Sequence, residues 1–389
     1  MEQKKKLELY LHIPFCEKKC DYCDFLSAPA DADTRKRYVE ALTEEIKIKS
    51  EAYKQYSVPS LFIGGGTPSV LVGNFIYQIM EAVYDSFDLE KDAEITIECN
   101  PGTLNQEKTA HYKHAGINRI SLGLQSASHQ ELQLLGRIHT FEEFLESYDR
   151  IRKAGFDNVN VDLMSGLPGQ SLSDWEYSLK KVVSLRPEHI SAYSLIIEEG
   201  TPFFARFGAD EHRRQEGEKP MLLPTEETER AMYEWTEEFL AEHGYLHYEI
   251  SNYARPGREC RHNIGYWKRE NYLGLGLGSA SLVENERFSN TTDLEAYLRG
   301  DFEKQEREQL TRRDQMEEFM FLGLRMLKGV SGKEFADCFQ AEMEGIYGDV
   351  IARLCHQGLL QQQAGYLFLT EKGISVSNYV MSEFFLKKC

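Results

Sequence analysis

No apolar run in this 389-residue chain reaches the ~18 residues that a membrane span requires. The lysines of MEQKKKLELY are followed by no apolar stretch, so a signal peptide is not expected and the expected compartment is the cytoplasm. Positive charge is scarce: 45 Lys and Arg face 63 Asp and Glu, for a net charge of −18. Such a surface repels phosphate backbones, so nucleic acid is not an expected partner. The sequence has no repeat of solenoid length and no low-complexity tract. Of its eight cysteines, Cys99, Cys260, Cys338, Cys355 and Cys389 are scattered. The other three fall within eight residues, at Cys16, Cys20 and Cys23. In a cytosolic chain such crowding points to metal or redox chemistry rather than disulfides.

At 41% hydrophobic and 28% charged, the chain reads as globular. Its length exceeds one typical core, which predicts a large domain with a smaller one. From Leu9 to Ile197 short apolar runs alternate with longer amphipathic stretches. The runs are Leu9–Pro14, Ser60–Gly66, Glu94–Pro101, Arg119–Ser126, Asn158–Pro168 and His189–Ile197. They are short and rich in β-branched residues, as buried parallel strands are. The pattern predicts an α/β fold, a partial (β/α)6 barrel spanning residues 1–245.

In such folds the site lies at the carboxyl ends of the strands. The cysteines follow the first run, Gly64–Thr67 ends the second, Glu98 and Asn100 end the third, and Gln125 ends the fourth, while Asp162 lies within the fifth. Residues 201–224, charged and punctuated by Pro202, Pro220 and Pro224, read as an insertion. Residues 246–310 read as an extension and linker, with the glycine- and aromatic-rich stretch His247–Ser281 expected to wrap the barrel mouth. Residues 311–389 read as a smaller helical, winged-helix-like domain. Its helices are expected at Arg312–Lys328, Gly332–Phe339 and Met343–Gln357, followed by a hairpin turning at Ala364-Gly365 and a last helix to Leu386. It carries no basic stripe and reads as a protein or pocket cover.

The spacing around the cysteines is C-x3-C-x2-C with no fourth cysteine nearby. Three thiolates on one loop can hold three irons of a [4Fe–4S] cubane and leave the fourth iron open. A structural zinc site would need a fourth ligand, for which His12 is the nearby alternative.

The motif resembles the signature of the radical S-adenosylmethionine (SAM) superfamily. The resemblance implies that the open iron binds the amino and carboxylate groups of SAM, and that Gly64–Pro68 sits against the SAM amino group. LYLHIPFC, GGGTPS, ECNP, SLGLQS, LGRIH and DLMSGLPGQ together resemble the oxygen-independent coproporphyrinogen oxidase branch, over nearly the whole chain. That likeness implies SAM contacts at Tyr10, Tyr22, Gly65, Gly66, Thr67, Glu98, Gln125, Arg137 and Asp162. Two features depart from the oxidase pattern. Phe25 stands where the oxidases carry a further cysteine, and only fifteen residues precede Cys16 where the oxidases have a long arm.

His262-Asn263-Ile264-Gly265-Tyr266-Trp267 reads HNxxYW and is similar to the motif of the HemW heme-chaperone family. That likeness implies His262 as a heme ligand, with the chain delivering heme to acceptor hemoproteins. From residue types alone, a packed histidine in an aromatic cluster remains the alternative. The sequence has no C-x-x-C-H run for covalent heme attachment. The expected cofactors are therefore a [4Fe–4S] cluster, SAM and heme. The expected partners are acceptor hemoproteins and an electron donor, with any peripheral membrane association made through the acceptor and a homodimer left open. Three functions stay open: a heme chaperone; a radical SAM enzyme acting on a porphyrin, as a decarboxylase or a heme-modifying enzyme; and a radical SAM enzyme with an unrelated substrate. No catalytic residue is assigned.

Overall fold

The computed structural model describes residues 4–386, so Cys389 lies outside the described residues. After a two-residue strand, β1 (Lys5–Lys6), six strands run parallel in chain order. They are β2 (Glu8–Ile13), β3 (Tyr56–Gly65), β4 (Leu89–Cys99), β5 (Arg119–Gln125), β6 (Val159–Ser165) and β7 (His189–Ser194). Helices α1 (Ala32–Ser50), α2 (Gly73–Ser86), α3 (Gln106–His114), α4 (His129–Leu134), α5 (Phe141–Lys153) and α6 (Leu172–Ser184) make the crossovers. Local signals set several helix starts: Thr140 with Glu143 and Ser171 with Asp174 form reciprocal capping boxes. Among the described residues no strand pairing joins the ends of the sheet, so the barrel is partial.

Side chains alternate across each strand. One parity is apolar and buried against the helices: Leu9, Leu11, Leu61, Ile63, Ile95, Ile97, Ile120, Leu122, Val161 and Leu163. Each contributes about 1.5–3 kcal/mol by leaving water. The other parity lines the inside of the barrel and is largely polar. Asn160 there donates to Ser121 and Asp162 and accepts from Ser191. Its carbonyl oxygen also lies 2.6 Å from His189 Nδ1. The interior is thus a polar column open at the carboxyl ends of the strands.

The stretch read as an insertion contains α7 (Pro202–Gln215), with Thr201 as its N-cap and Pro202 in its first turn. Phe203, Phe207 and Leu223 pack with Leu135, Met164, Leu167 and Leu195 in a small core of their own. Helix α8 (Glu226–Glu242) follows and packs on α6.

The glycine- and aromatic-rich stretch corrects an expectation. Most of it does not wrap the mouth. Strands β8 (Leu246–Glu249) and β9 (Asn252–Ala254) extend the sheet antiparallel beyond β7. Helix α9 (Arg261–Trp267) carries the HNxxYW run and plugs the opposite end, the floor formed by the amino ends of the strands. Strand β10 (Tyr272–Leu275) then pairs parallel with β2, and β11 (Ala280–Val283), β12 (Glu286–Ser289) and β13 (Gln305–Gln309) continue that edge, with α10 (Leu294–Leu298) between the last two. Only the turn after β10 reaches the mouth, where a Cβ on Gly278 would meet Leu26 of the cysteine loop.

The C-terminal part has a separate core running from Met316 to Phe384. Its elements are α11 (Arg312–Gly323), β14 (Val330–Ser331), α12 (Gly332–Phe339), α13 (Met343–His356), β15 (Leu360–Gln363), β16 (Tyr366–Leu369), α14 (Glu371–Ser375) and α15 (Ser377–Ser382). Ala364 and Gly365 both have positive φ, as a two-residue hairpin turn demands. Helix α11 stops short of Lys328 because the chain turns back to the barrel: Ile250 donates to the Arg325 carbonyl and Leu327 to that of Tyr248. The last helix is likewise divided, with Val376 between α14 and α15.

Candidate functional site

The cysteine loop leaves β2 and is closed at its base. Cys16 donates to the Ala28 carbonyl and Ala28 donates to that of Pro14. Its middle is anchored twice more: Asp21 donates to the Leu135 carbonyl, and Phe203 of α7 donates to that of Asp21. Cys16 is buried, Cys20 and Cys23 are half-buried, and none is in a disulfide. The Thr67 hydroxyl lies 3.6 Å from Cys16 Sγ, and Arg137 Nη1 lies 3.6 Å from Cys20 Sγ. A Cβ on Gly66 would fall 2.7 Å from the Phe15 carbonyl and 3.0 Å from Cys16 Sγ, so only glycine lets β3 come this close. Among the described residues no three His, Cys, Asp or Glu side chains converge as ligands of a single ion would. His12 is also committed: Nδ1 lies 3.1 Å from the Tyr10 hydroxyl and Nε2 2.9 Å from the Leu26 carbonyl. It does not close a zinc tetrahedron. The donor set is one of soft thiolates without a fourth partner, which suits a cubane and not a mononuclear structural zinc.

Above the barrel interior stand the other residues singled out in the sequence. Glu98 accepts from the Gly65 amide at 3.1 Å. Burial first, and the neighbouring Asp162 second, push its carboxyl up to about 8. Gln125, at φ 74, ends β5 and accepts from the Tyr193 hydroxyl at 2.9 Å. Asp162 accepts from Ser121 and Asn160, one layer deeper, and burial raises its carboxyl as well. Tyr22 packs edge-on against Phe203. Arg137 is expected from the resemblance to meet a SAM carboxylate. Its Nη2 donates to Asn100 Oδ1 and the Gly123 carbonyl, and its Nε is buried without a hydrogen-bond partner. That orphaned donor, the Gly66 cradle and the thiolate set all fit a cluster with a bound amino acid moiety. Tyr193 was not singled out in the sequence; the alternation of HISAYS places it on the inner face.

His262 lies at the other end. It is 1% exposed, with Nδ1 2.9 Å from Ser60 Oγ, Nε2 3.1 Å from the Tyr266 hydroxyl, and its ring stacked on Phe62. Burial lowers its pKa to about 3, so it stays neutral. Both nitrogens hydrogen-bond within the floor. Gly265 of the same motif makes room for Glu8, whose oxygens would stand 2.1 and 2.2 Å from a Cβ there. Burial pushes the Glu8 carboxyl up to about 9, and its Oε2 makes no hydrogen bond, lying 3.8 Å from His262 Nδ1.

A folded pKa raised above the unfolded 4.5 means that unfolding releases a proton. Stability from this group is therefore full below that value and lost as pH rises towards 9. Glu8→Gln is expected to melt close to wild type at pH 5 and about 5 °C above it at pH 9. Equal melting temperatures of the two proteins at pH 9 would rule out a buried proton on Glu8.

The comparisons with known proteins agree with this geometry. Residues 10–182 match the model of the radical SAM superfamily, and residues 310–376 match the HemN C-terminal domain. The chain is 36% identical to heme chaperone HemW of Lactococcus lactis subsp. lactis (strain IL1403), covering 97% of each chain. It is 35% identical to heme chaperone HemW of Bacillus subtilis (strain 168), covering 96% of this chain and 98% of that one. The chain belongs to the HemW family. Among solved structures, coproporphyrinogen III oxidase (HemN) from Escherichia coli superposes with a TM-score of 0.83 at 24% identity, covering 98% of this chain and 90% of that one. That likeness shows a shared fold.

The radical SAM domain of this HemW family member implies a [4Fe–4S] cluster and SAM. Cys16, Cys20 and Cys23 would hold the cluster, and Gly65, Gly66, Thr67, Glu98, Gln125, Arg137 and Asp162, with Tyr10 and Tyr22, would surround SAM. When bound, the pair supplies one-electron chemistry. The chain's own contribution is a closed loop that fixes the thiols, with the Glu98 and Asp162 carboxyls held beside it by hydrogen bonds to Gly65, Ser121 and Asn160. Among the described residues no helix is long and apolar enough to cross a membrane.

Proposed function

We propose that this chain binds heme and passes it to acceptor hemoproteins, with the cluster and SAM licensing the transfer and a protein electron donor reducing the cluster. The carrying observation is the likeness to HemW chaperones over nearly the full length of both chains. Phe25 supports the reading. It stands where the oxidases carry a further cysteine, and it is 66% exposed beside the cluster loop, with its carbonyl tied to Lys19. Leu26, Ile138 and Ile196, also exposed, lie in loops at the same end of the barrel and offer apolar surface to a macrocycle. The second reading, an enzyme acting on a porphyrin, draws on the shared fold.

The two readings separate in one anaerobic experiment. The reconstituted protein is titrated with heme, then mixed with an apo-hemoprotein. In parallel it is given SAM, reductant and coproporphyrinogen III. A saturable Soret band followed by heme appearing in the acceptor is the expected result. Protoporphyrinogen produced at enzymatic turnover would overturn the chaperone reading.

His262→Ala tests the motif. The packing at the floor predicts a lower melting temperature and an unchanged Soret position. A shifted Soret band with an unchanged melting temperature would assign the iron to His262.

A further inference from the structure

We propose that Asn100 is a positioning residue of the cluster, aiming a hydrogen bond at each of two cysteine sulfurs through Thr67 and Arg137. The chain of contacts is continuous. Arg137 Nη1 reaches Cys20 Sγ at 3.6 Å, Arg137 Nη2 reaches Asn100 Oδ1 at 2.9 Å, Asn100 Nδ2 reaches Thr67 Oγ1 at 2.9 Å, and Thr67 Oγ1 reaches Cys16 Sγ at 3.6 Å.

Donor and acceptor chemistry fixes its direction. A guanidinium only donates, so the Asn100 atom facing it must be the oxygen. The amide nitrogen therefore faces Thr67 and donates to it. The single hydroxyl proton of Thr67 is then left for Cys16.

Asn100 is itself immobilised at its backbone. Its amide donates to Ser69 Oγ at 3.1 Å, its carbonyl accepts from Thr103 Oγ1 at 2.7 Å, and the Ser69 and Thr103 hydroxyls are 2.6 Å apart. Four polar side chains, Arg137, Thr67, Ser69 and Thr103, from three separate loops thus converge on one residue that touches neither sulfur. Ordinary loop chemistry would need only the backbone bonds.

Hydrogen bonds to cluster sulfurs favour the reduced, more negative state and so raise the reduction potential. Charge-assisted donation from Arg137 adds to this at Cys20. The bracket would therefore make the cluster easier to reduce and would do so at two of its three thiolates. The proposal rests on the cluster reading and is independent of heme transfer.

The test is an EPR-monitored redox titration of the reconstituted full chain, with iron content measured first. Thr67→Val removes the hydroxyl and keeps the shape. Its cluster should be about tenfold harder to reduce, a fall of ~59 mV for one electron. Thr67→Ser keeps the hydroxyl and should restore the wild-type potential. Asn100→Ala frees the Thr67 proton to turn away and should shift the potential in the same direction as Thr67→Val. Fully loaded Thr67→Val and Asn100→Ala proteins that titrate at the wild-type potential would overturn the proposal. So would a Thr67→Ser protein as hard to reduce as Thr67→Val. Where Asn100→Ala does not load iron, Asn100→Asp takes its place. Its carboxylate draws the hydroxyl away from Cys16, and an unchanged potential there overturns the proposal equally. Absence of any cluster from the wild-type chain would sink the cofactor reading instead.

Discussion

Replacing Cys16, Cys20 and Cys23 together by alanine should reduce bound iron from ~4 per chain to nearly none after anaerobic reconstitution, and remove the broad absorption near ~400 nm. The three thiols sit on one loop pinned at its base by Cys16 and Ala28 and in its middle by Asp21, so the substitutions need not unfold it. The other described cysteines cannot take over. Cys99 and Cys260 are buried, with thiols driven upward by burial, and Cys260 is tied to Glu94 at the floor. Cys338 and Cys355 belong to the C-terminal part. Iron and absorption are measured beside circular dichroism. A folded triple variant that keeps a full cluster would refute the assignment.

The second large effect is expected at Glu94, far from the cluster. Helix α9 begins at Cys260, whose side chain gives no cap. Glu94, on β4, supplies the cap from a distance: Oε2 accepts from the Arg261 amide at 3.1 Å, and Oε1 accepts from the His262 amide at 3.2 Å and from Cys260 Sγ at 3.5 Å. It also offsets the charge of Arg119, which is 2% exposed and has an unpartnered Nε. Glu94→Ala would leave two helix amides without their acceptor and remove one of the anionic groups around Arg119. Leaving a buried donor unsatisfied costs about 1–3 kcal/mol, and two amides are affected. At ~2–4 °C per kcal/mol, the melting temperature should fall by roughly 10 °C.

The damage should reach the C-terminal part as well. Arg325 lies over the Trp267 ring at 4.3 Å, and Arg269 pairs with Glu318 at 2.7 Å, so α9 and its following turn are the seat on which α11 rests. Limited proteolysis of Glu94→Ala should cut between residues 254 and 272 before wild type is cut anywhere there. Wild-type melting and cleavage would show that the floor is held by packing alone.

The HNxxYW motif shows how the fold gives a sequence signal its surroundings. The resemblance of the motif implies His262 as an iron ligand, while its residue types alone equally allow a packed histidine. In the fold several members have local contacts: His262 bridges Ser60 and Tyr266, Gly265 makes room for Glu8, and Trp267 receives Arg325. Residue types alone do not separate these roles, because a stacked, hydrogen-bonded histidine and a ligand histidine have the same neighbours in sequence. The turn after α11 was missed for a related reason. Local propensity continues the helix to Lys328, and the backbone pairing with Tyr248 and Ile250 overrides it.

By itself the sequence determined whatever is local. The thiol spacing sets a loop with three ligands and no fourth. The apolar runs set the strands, and the capping boxes set helix starts. Tertiary structure decided what depends on register and barrel curvature. Glu94 meets the amide of His262 across 168 positions, and Arg137 meets Cys20 across 117. Those meetings follow from which strand faces are turned inward and how far each strand is staggered against the next. The cost of closing such loops is repaid only when the whole sheet forms, so no short window of sequence contains them.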